Sequence, residues 1–460
     1  MISLQNSTLL LKRRINMKKL LSILVLLITG LCLISCDKAT TTTKKKTSDF
    51  SSNELNKVSY EYNYESYSLA QSLISNDKSF LSKLERFSAT MSENLYIDNY
   101  EKDSNVCISP LSIYIAFAML YNTLKEDTRG LLREFFGMEE LEILQTKNLI
   151  KALISVHYND KNEVIEKLDI CNSIWFNSDN HATYSKEVLE ELADMYECHA
   201  MEANFKNDNE KANQILREFI KEKTNDLIDQ NFGIKEEALF LLINCIYFKD
   251  IWGERELTQQ EFEFTNSKGE KSKEQFNLGK YLSGRIAKGD NYSFGRMVSS
   301  HGYTLSLILP NEGTDIKDIY NADVLCNVNG YEYMYQDFEG QRYESRVIFP
   351  EFEVTGDYDV LATLKKHNSY MAPLFSEHTS RLVLDYNLRI DQVIHKTVYK
   401  VNKYGSEGAA VTIIVENKAT SVGPGYEPIR EELLLNRPFT YILSDKNGVI
   451  IFTGIVNNLK

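Results

Sequence analysis

The strongest constraint on the fold is an unbroken apolar run at residues 239–248, which reads LFLLINCIYF. Asn244 is its only amide side chain, so neither face of the segment is suited to contact with water. A run of this kind is typical of a central strand in a sheet that is covered on both sides. We therefore predict a large sheet with other elements packed against each of its faces.

Other apolar patterns predict helices and further strands around this sheet. Ser109 and Pro110 open one of the helices, because serine caps a helix N-terminus and proline suits the first turn. No low-complexity break or internal repeat interrupts the chain after about residue 75. We expect one large domain of the α+β class over residues 75–460. Helices are predicted at 78–97, 110–123 and 208–224, and strands at 168–176, 303–309, 345–354, 393–402, 439–444 and 449–456.

Charge and motif content argue against several classes of function. The formal net charge is −13, which argues against nucleic acid as a partner, because phosphate binding needs a basic surface. The seven histidines are dispersed, and the sequence has no GxSxG, HExxH, P-loop or GxGxxG motif. The seven cysteines form no CxxC pair; we expect buried thiols in the body of the chain and leave a disulfide open. We therefore predict no enzyme activity, no cofactor and no metal site.

Residues 17–36 read MKKLLSILVLLITGLCLISC and are typical of an export signal. Two lysines precede an apolar run that is too short to span a membrane comfortably. The run ends in LISC, which resembles the bacterial lipobox, a signal whose cysteine takes the lipid and becomes the new N-terminus. We predict a lipoprotein signal peptide over 1–36, a lipid on Cys36, and an exported protein anchored to the bacterial membrane and facing outward. An ordinary secretory peptide cut elsewhere is the alternative.

Residues 37–74 begin with a stretch rich in Thr, Lys and Ser and nearly free of large apolar side chains. Such a composition favours a flexible linker over a packed element. We predict a polar tether and N-terminal extension over 37–74, ahead of the large domain. The sequence leaves open whether Met1 or Met17 is the start.

Six blocks in the body of the chain occur in the order of signature segments of the serpin family, which they resemble. They are NVCISPLS at 105–112, INCIYFKDIW at 243–252, LSLILP at 305–310, VIHKT at 393–397, NRPF at 436–439 and FTGIV at 452–456. The resemblance covers roughly 75–460 and implies the serpin fold, with three β-sheets, eight or nine helices and an exposed reactive-centre loop at about 403–434. It also implies an inhibitor of serine endopeptidases, which we expect to be a monomer.

Residues 405–412 resemble the hinge of inhibitory serpins, in which the loop is cleaved and then enters the main sheet as a new strand. Entry requires small side chains on the inward face, and alternate hinge residues here are small. Gly408 in place of the usual Ala, and Glu416 on the inward face, depart from the inhibitory pattern. The predicted hinge comprises Gly405, Ser406, Glu407, Gly408, Ala409, Ala410, Val411 and Thr412.

Family spacing from the hinge places the reactive bond between Ala419 and Thr420, with Lys418 and Arg430 as alternative positions for the cut. A cut after Ala favours an elastase-like or subtilisin-like peptidase, whereas a cut after Lys or Arg favours a trypsin-like one. Two other functions stay open. One is a non-inhibitory serpin that serves as a surface binding or structural lipoprotein, and the other is an inhibitor of cysteine peptidases.

Two further groups of residues match positions that govern sheet opening in the family. The resemblance assigns Ser109, Ser112, Asn244 and His395 to the hydrogen-bonded "shutter", where central strands separate. It assigns Trp252, Glu351 and Lys403 to the "breach" at the top of the sheet. The charges at 351 and 403 are swapped relative to the family pattern, so we predict an ion pair of opposite polarity. Two unpaired surface charges are the alternative.

Overall fold

The computed structural model describes residues 50, 53–56, 58, 64–101, 103–253, 256–332, 341–376, 378–385, 387–390, 392–406 and 427–459. Residues 1–49 lie outside this range, so the predicted signal peptide and Cys36 are not described. None of the described helices is both long and apolar enough to span a membrane.

Ten α-helices occur among the described residues, against the eight or nine expected. They are α1 (Tyr64–Asn76), α2 (Lys78–Asp98), α3 (Pro110–Thr123), α4 (Glu126–Phe136), α5 (Glu140–Leu144), α6 (Thr146–Leu153), α7 (Lys186–Tyr196), α8 (Asn209–Lys223), α9 (Ala322–Asn329) and α10 (Val360–His367). Short 3-10 turns lie at Ser178–Asn180, Ile316–Asp318 and Ser369–Phe375. The predicted helices at 78–97, 110–123 and 208–224 correspond to α2, α3 and α8.

Eighteen strands occur in the same part of the chain. They are β1 (Val106–Ile108), β2 (Ser155–Tyr158), β3 (Val164–Asn177), β4 (Cys198–Ala203), β5 (Phe240–Ile251), β6 (Gln259–Thr265), β7 (Lys271–Leu278), β8 (Leu282–Ser283), β9 (Ala287–Lys288), β10 (Tyr292–Val298), β11 (Thr304–Pro310), β12 (Tyr343–Pro350), β13 (Phe352–Asp359), β14 (Gln392–Val401), β15 (Gly405–Ser406), β16 (Ile429–Leu434), β17 (Phe439–Ser444) and β18 (Ile450–Val456).

The strands form three sheets. The main sheet has seven strands in the order β13-β14-β15-β5-β3-β2, with β4 also paired to β3. The second sheet has six, in the order β1-β18-β17-β11-β10-β9, and the third has five, β16-β12-β7-β6 with β8 on β12. The predicted α+β fold with three sheets is therefore confirmed.

The apolar run at 239–248 forms most of β5, which lies inside the main sheet and is buried along its whole length. One side of it packs with the large core beneath the sheet, and the other with a smaller core under α8 that includes Phe219 and Leu216. Helix α3 is also buried throughout. The side chain of Ser109 caps it by accepting a hydrogen bond from the N–H of Ser112.

Two predictions about element boundaries require correction. The predicted strand at 345–354 is two strands, β12 and β13, which belong to different sheets and are separated at Glu351. Pro350 ends the first of them, because proline has no N–H with which to extend a ladder. The second correction concerns α1, which crosses the predicted boundary between 74 and 75 and is buried at Ala70 and Ile74.

Candidate functional site at the upper end of the main sheet

Strands β14 and β5 run parallel at the centre of the main sheet, and the described residues pair them only at one end. That pairing joins Gln392 to Leu241 and Val393 to Leu242. Each strand already has a full ladder on its outer edge, β14 with β13 and β5 with β3. The described residues place one further strand, β15, at a position between β14 and β5.

The first two hinge residues occupy the upper end of that position. Gly405 and Ser406 form β15, which pairs antiparallel with both neighbours, Val401 with Ser406 on one side and Gly405 with Ile251 on the other. Both residues are buried. The start of the predicted hinge is thus already a strand between β14 and β5.

Close packing around β15 explains why its residues are small. A Cβ on Gly405 would lie 2.0 Å from the carbonyl oxygen of Asp250. The Ser406 hydroxyl lies 2.9 Å from the Tyr399 hydroxyl, so its polar atom is satisfied although the residue is buried. A larger or charged side chain at either place would have to displace backbone or remain unpaired in the core.

The other predicted hinge residues, Glu407 to Thr412, lie outside the described residues, as do Lys418, Ala419 and Thr420. Arg430 is described and lies in β16, which pairs in parallel with β12. Its guanidinium contacts the Glu344 carboxylate at 3.2 Å. The alternative cleavage position at Arg430 therefore lies within a paired strand.

The four residues predicted for the shutter are buried and lie around the junction of α3, β5 and β14. The N–H of Ser109 donates to His395 Nε2 at 3.0 Å, and its hydroxyl donates to the Ile451 carbonyl at 2.7 Å. The Ser112 hydroxyl donates to the Asn244 carbonyl at 3.0 Å. These bonds connect the start of α3 to β14 and β5, the two strands that flank β15.

Burial lowers the pKa of His395 to about 3, so its ring is neutral at ordinary pH. That state is the one in which Nε2 accepts a hydrogen bond from Ser109. The shutter is therefore a network of neutral groups, which can be broken and remade without moving a charge.

Asn172 is a member of this network that the sequence analysis missed. It lies directly opposite Asn244 in the β3–β5 ladder, and its side-chain oxygen accepts a hydrogen bond from the Asn244 amide. Its own amide donates to the Tyr196 carbonyl at 2.6 Å. The sequence shows that the predicted strand 168–176 contains an amide side chain, that of Asn172. Only the strand register shows that this amide lies opposite Asn244.

The breach residues surround the entry of β15. Trp252 is buried, and its indole N–H donates to the Asn402 carbonyl at 2.7 Å. Its backbone N–H donates to the Tyr404 carbonyl at 3.0 Å. The chain that leads into the hinge is therefore fixed to the end of β5 on both sides of Lys403.

The predicted ion pair between Lys403 and Glu351 is wrong, because the Lys403 side chain pairs with a different carboxylate. Lys403 Nζ lies 2.8 Å from the carboxylate of Glu256, while Glu351 accepts a hydrogen bond from the backbone N–H of Lys403 at 3.0 Å. Gln259 also donates to Glu351 at 2.9 Å. Glu351 thus binds the backbone of Lys403, in the segment that leads into the hinge. The Lys403 side chain pairs with Glu256 instead.

No group of three or more His, Cys, Asp or Glu side chains within the described ranges is arranged to hold a metal ion. The five cysteines of the body are free thiols, and four of them, Cys107, Cys171, Cys198 and Cys245, are buried. The distinctive feature of this region, within the described ranges, is the strand β15 between β14 and β5.

A family model described as "Serpin (serine protease inhibitor)" matches residues 82–459. Iripin-1 from Ixodes ricinus is 25% identical over 373 residues, which are 78% of this chain and 90% of that protein. Antithrombin-III from Homo sapiens is 25% identical over 395 residues, 81% of this chain and 80% of its own length.

Among solved structures, the native state of the thermophilic serpin tengpin superposes with a TM-score of 0.65 at 23% identity, covering 83% of this chain and 95% of tengpin. At this level of identity the likeness concerns the fold alone. It agrees with the three sheets described above.

Proposed function

The chain belongs to the serpin family, and from that premise we propose that it inhibits serine endopeptidases by loop cleavage, covalent trapping and insertion of the loop into the main sheet. The observation that carries the proposal is the strand β15, in which Gly405 and Ser406 already pair with both β14 and β5. The residues that follow Ser406 in the sequence have small side chains on alternate positions.

The proposed mechanism uses the energy of completing the sheet. A peptidase cleaves the loop and is held as an acyl-enzyme. The freed segment then extends β15 between residues 394–400 and 243–249, towards the end at which β14 and β5 pair directly. Each new backbone hydrogen bond contributes about 1 kcal/mol net, and burial of Ile413, Ile414 and Val415 adds to this. Because the peptidase is covalently attached to the end of the segment, it is carried along and its active site is distorted before it can deacylate.

We propose Ala419–Thr420 as the reactive bond, by its spacing from the hinge. Insertion needs a segment of fixed length between Gly405 and the bond, and this favours the count from the hinge over other positions. A small Ala at the cut suits elastase-like or subtilisin-like peptidases, and cleavage after Lys418 would instead suit trypsin-like ones. Arg430 is the weakest position, because its strand pairs with β12 along its length.

We further propose that the protein acts outside the cell, anchored to a bacterial membrane by a lipid on Cys36. The support is the sequence LISC at the end of the apolar run and the polar segment that follows it. Such a tether would let the reactive loop meet soluble peptidases while the inhibitor stays at the surface.

A non-inhibitory binding serpin is the second candidate, favoured by Gly408 and Glu416 in the segment that must enter the sheet. Glycine weakens a strand, and a glutamate on the inward face would need a partner. In that case the loop would be a substrate that is cut without trapping the enzyme.

The two candidates are separated by mixing the purified protein with pancreatic elastase, subtilisin and trypsin. Inhibition predicts a covalent complex that survives SDS with at least one of them, and mass spectrometry of the released C-terminal peptide identifies the bond. Clean cleavage of the loop by all three enzymes, with no complex, would contradict the proposal and support the second candidate.

A matched pair of variants tests the insertion step with elastase. Thr412→Arg places a charge on the inward face of the hinge, so we expect the inhibitor to become a substrate. Val422→Arg places the same charge beyond the proposed bond, in the part that does not enter the sheet, so trapping should persist. Trapping by the Thr412→Arg variant would refute the assignment of the hinge face.

A further inference from the structure

Two buried carboxylates lie near the upper end of the main sheet, close to where β15 begins. Glu166 on β3 and Asp250 on β5 are each 1% exposed. Buried carboxylates are costly unless they are hydrogen-bonded or paired with positive charge. The hydrogen bonds that these two carboxylates receive therefore affect the stability of this end of the sheet.

Each carboxylate is paired with a histidine. His157 Nδ1 lies 2.7 Å from Glu166 Oε2, and His301 Nδ1 lies 2.7 Å from Asp250 Oδ1. The two imidazole rings stack on each other, with centroids 4.5 Å apart and an interplanar angle of 23°. The four side chains thus form a continuous cluster, Glu166–His157–His301–Asp250.

The ladder places this cluster in one row with the hinge. His157 is the register partner of Glu166, and Asp250 is the register partner of Ser406. Lys167 pairs with Lys249, so Glu166 and Asp250 are the next residues in the same antiparallel register. The histidines are therefore connected through adjacent strands to the first hinge residues, Gly405 and Ser406.

The cluster also fastens the main sheet to the second sheet. His301 lies in the turn between β10 and β11, and its backbone N–H donates to Asp250 Oδ2 at 3.2 Å. Its neighbour Ser300 donates to the Ile251 carbonyl at 2.9 Å. Since Ile251 pairs with Gly405, this turn holds the part of β5 that must adjust when the loop enters.

We propose that the stacked pair His157–His301 is a proton-dependent latch that fixes the upper end of β5 and so sets how readily the main sheet opens to the loop. The proposal rests on the proposed function in one respect, that β14 and β5 receive the cleaved loop. It adds a regulatory input, the pH of the medium, for an insertion step that otherwise depends only on the peptidase.

The charges that face His301 give the direction of the effect. They are Asp250 on β5 and Glu166 on β3, and the ring of His157 on β2 stacks against His301. The hydroxyl of Tyr303 donates to Glu166 at 3.1 Å, and Asp445 also acts electrostatically on that tyrosine. The hydrogen bond with Asp250 raises the pKa of His301 above its usual 6.5.

A group whose pKa is raised by folding stabilises the folded protein fully below its unfolded value. That stability is lost as the pH rises through the folded value. The latch is therefore closed below pH 6.5 and opens as His301 loses its proton above that value. His395 contributes little above pH 6.5 and in the opposite direction, because its lowered pKa keeps it neutral in the folded protein and the unfolded chain also loses this proton as the pH rises past 6.5.

The first test uses the intact protein without any peptidase. Proton NMR of the seven histidines should show His301 titrating above 6.5, and the urea midpoint should fall from about pH 6.5 to about pH 8.5. In His301→Gln, whose amide can still donate to Asp250, we expect a flat urea profile over that range. His367→Gln, which removes a histidine paired with Asp98 elsewhere, should keep the wild-type profile. A His301 that titrates at or below 6.5, or a His301→Gln profile that still falls, would overturn the latch.

The second test measures sheet opening directly, with a synthetic peptide of residues 407–416 as the probe. We expect its uptake by the intact protein, followed by native gel shift, to quicken several-fold as the pH rises through the pKa of His301. His301→Gln should take up the peptide at one rate throughout. Equal rates at all pH values in the wild type contradict the latch, whereas a pH-dependent uptake in a protein that traps no peptidase contradicts only the proposed inhibition.

Discussion

Gly405 is the residue with least room for change at the entrance to the main sheet, because a Cβ there would lie 2.0 Å from a backbone oxygen of Asp250. We expect Gly405→Ala to displace β15 from its neighbours and to lower the free energy of unfolding by about 1–3 kcal/mol. Gly130→Ala is a suitable control. That position lies in α4 with only the end of the Arg133 side chain nearby, so the change should be neutral or stabilising. Urea unfolding of the two variants measures the difference, and equal midpoints would show that β15 tolerates a side chain.

His395 provides a second prediction for a single residue, concerning acid. Burial lowers its pKa to about 3. Below pH 6.5 the unfolded chain therefore binds a proton at this site, whereas the folded protein does not. The folded state should lose roughly 1.4 kcal/mol for each pH unit between 6.5 and 3 through this group. His395→Asn, which keeps an acceptor for Ser109, should reduce that dependence when unfolding is measured against pH. An unchanged acid dependence would mean that His395 is not the responsible group.

Among the elements, β4 is an edge strand of the main sheet that the N-terminal extension covers. Leu55 donates a backbone hydrogen bond to Ala200, and Asn56 bonds the carbonyls of Leu189 and Cys198 and the N–H of Ala200. The Phe50 ring also meets Phe219 of α8 edge-on at 5.4 Å. The segment predicted as a tether therefore protects a sheet edge, which would otherwise be open to pairing with another chain.

We expect Asn56→Ala to cost about 1–3 kcal/mol, because it leaves three backbone groups without their partner. Hydrogen exchange at the Ala200 amide should increase with it. Asn76→Ala, which removes an exposed hydrogen bond within α1, is the matched control and should change neither quantity appreciably. Unchanged exchange at Ala200 would show that the extension does not seal the edge.

The elements that the sequence predicts well are those whose patterns are set by burial. Strand β5, which includes most of the run at 239–248, and the helix at 110–123 are buried throughout, so the apolar pattern of each segment follows from its burial. Helix α1 was missed because only Ala70 and Ile74 of its thirteen residues are buried, which leaves little apolar periodicity. Two features depend on the path of the chain between sheets, which apolar periodicity does not predict. They are the end of β12 at Pro350 and the pairing of Lys403 with Glu256.

On the scale of the whole molecule, the proposed function requires a main sheet that accepts one more strand after the loop is cut. Two residues of the additional strand are in place at the top, the parallel contact of β14 with β5 closes the bottom, and a polar shutter lies between them. The proposed insertion adds backbone hydrogen bonds along β14 and β5 when the loop enters. It therefore predicts that the intact state is less stable than the cleaved one.

The most direct test compares the thermal unfolding of intact protein with that of protein nicked once in the loop by elastase. Insertion would complete the main sheet, so the nicked form should melt far above the intact form. The Thr412→Arg variant, nicked in the same way, should show little of this gain. Equal melting temperatures for intact and nicked wild-type protein would contradict loop insertion and, with it, the proposed trapping of peptidases.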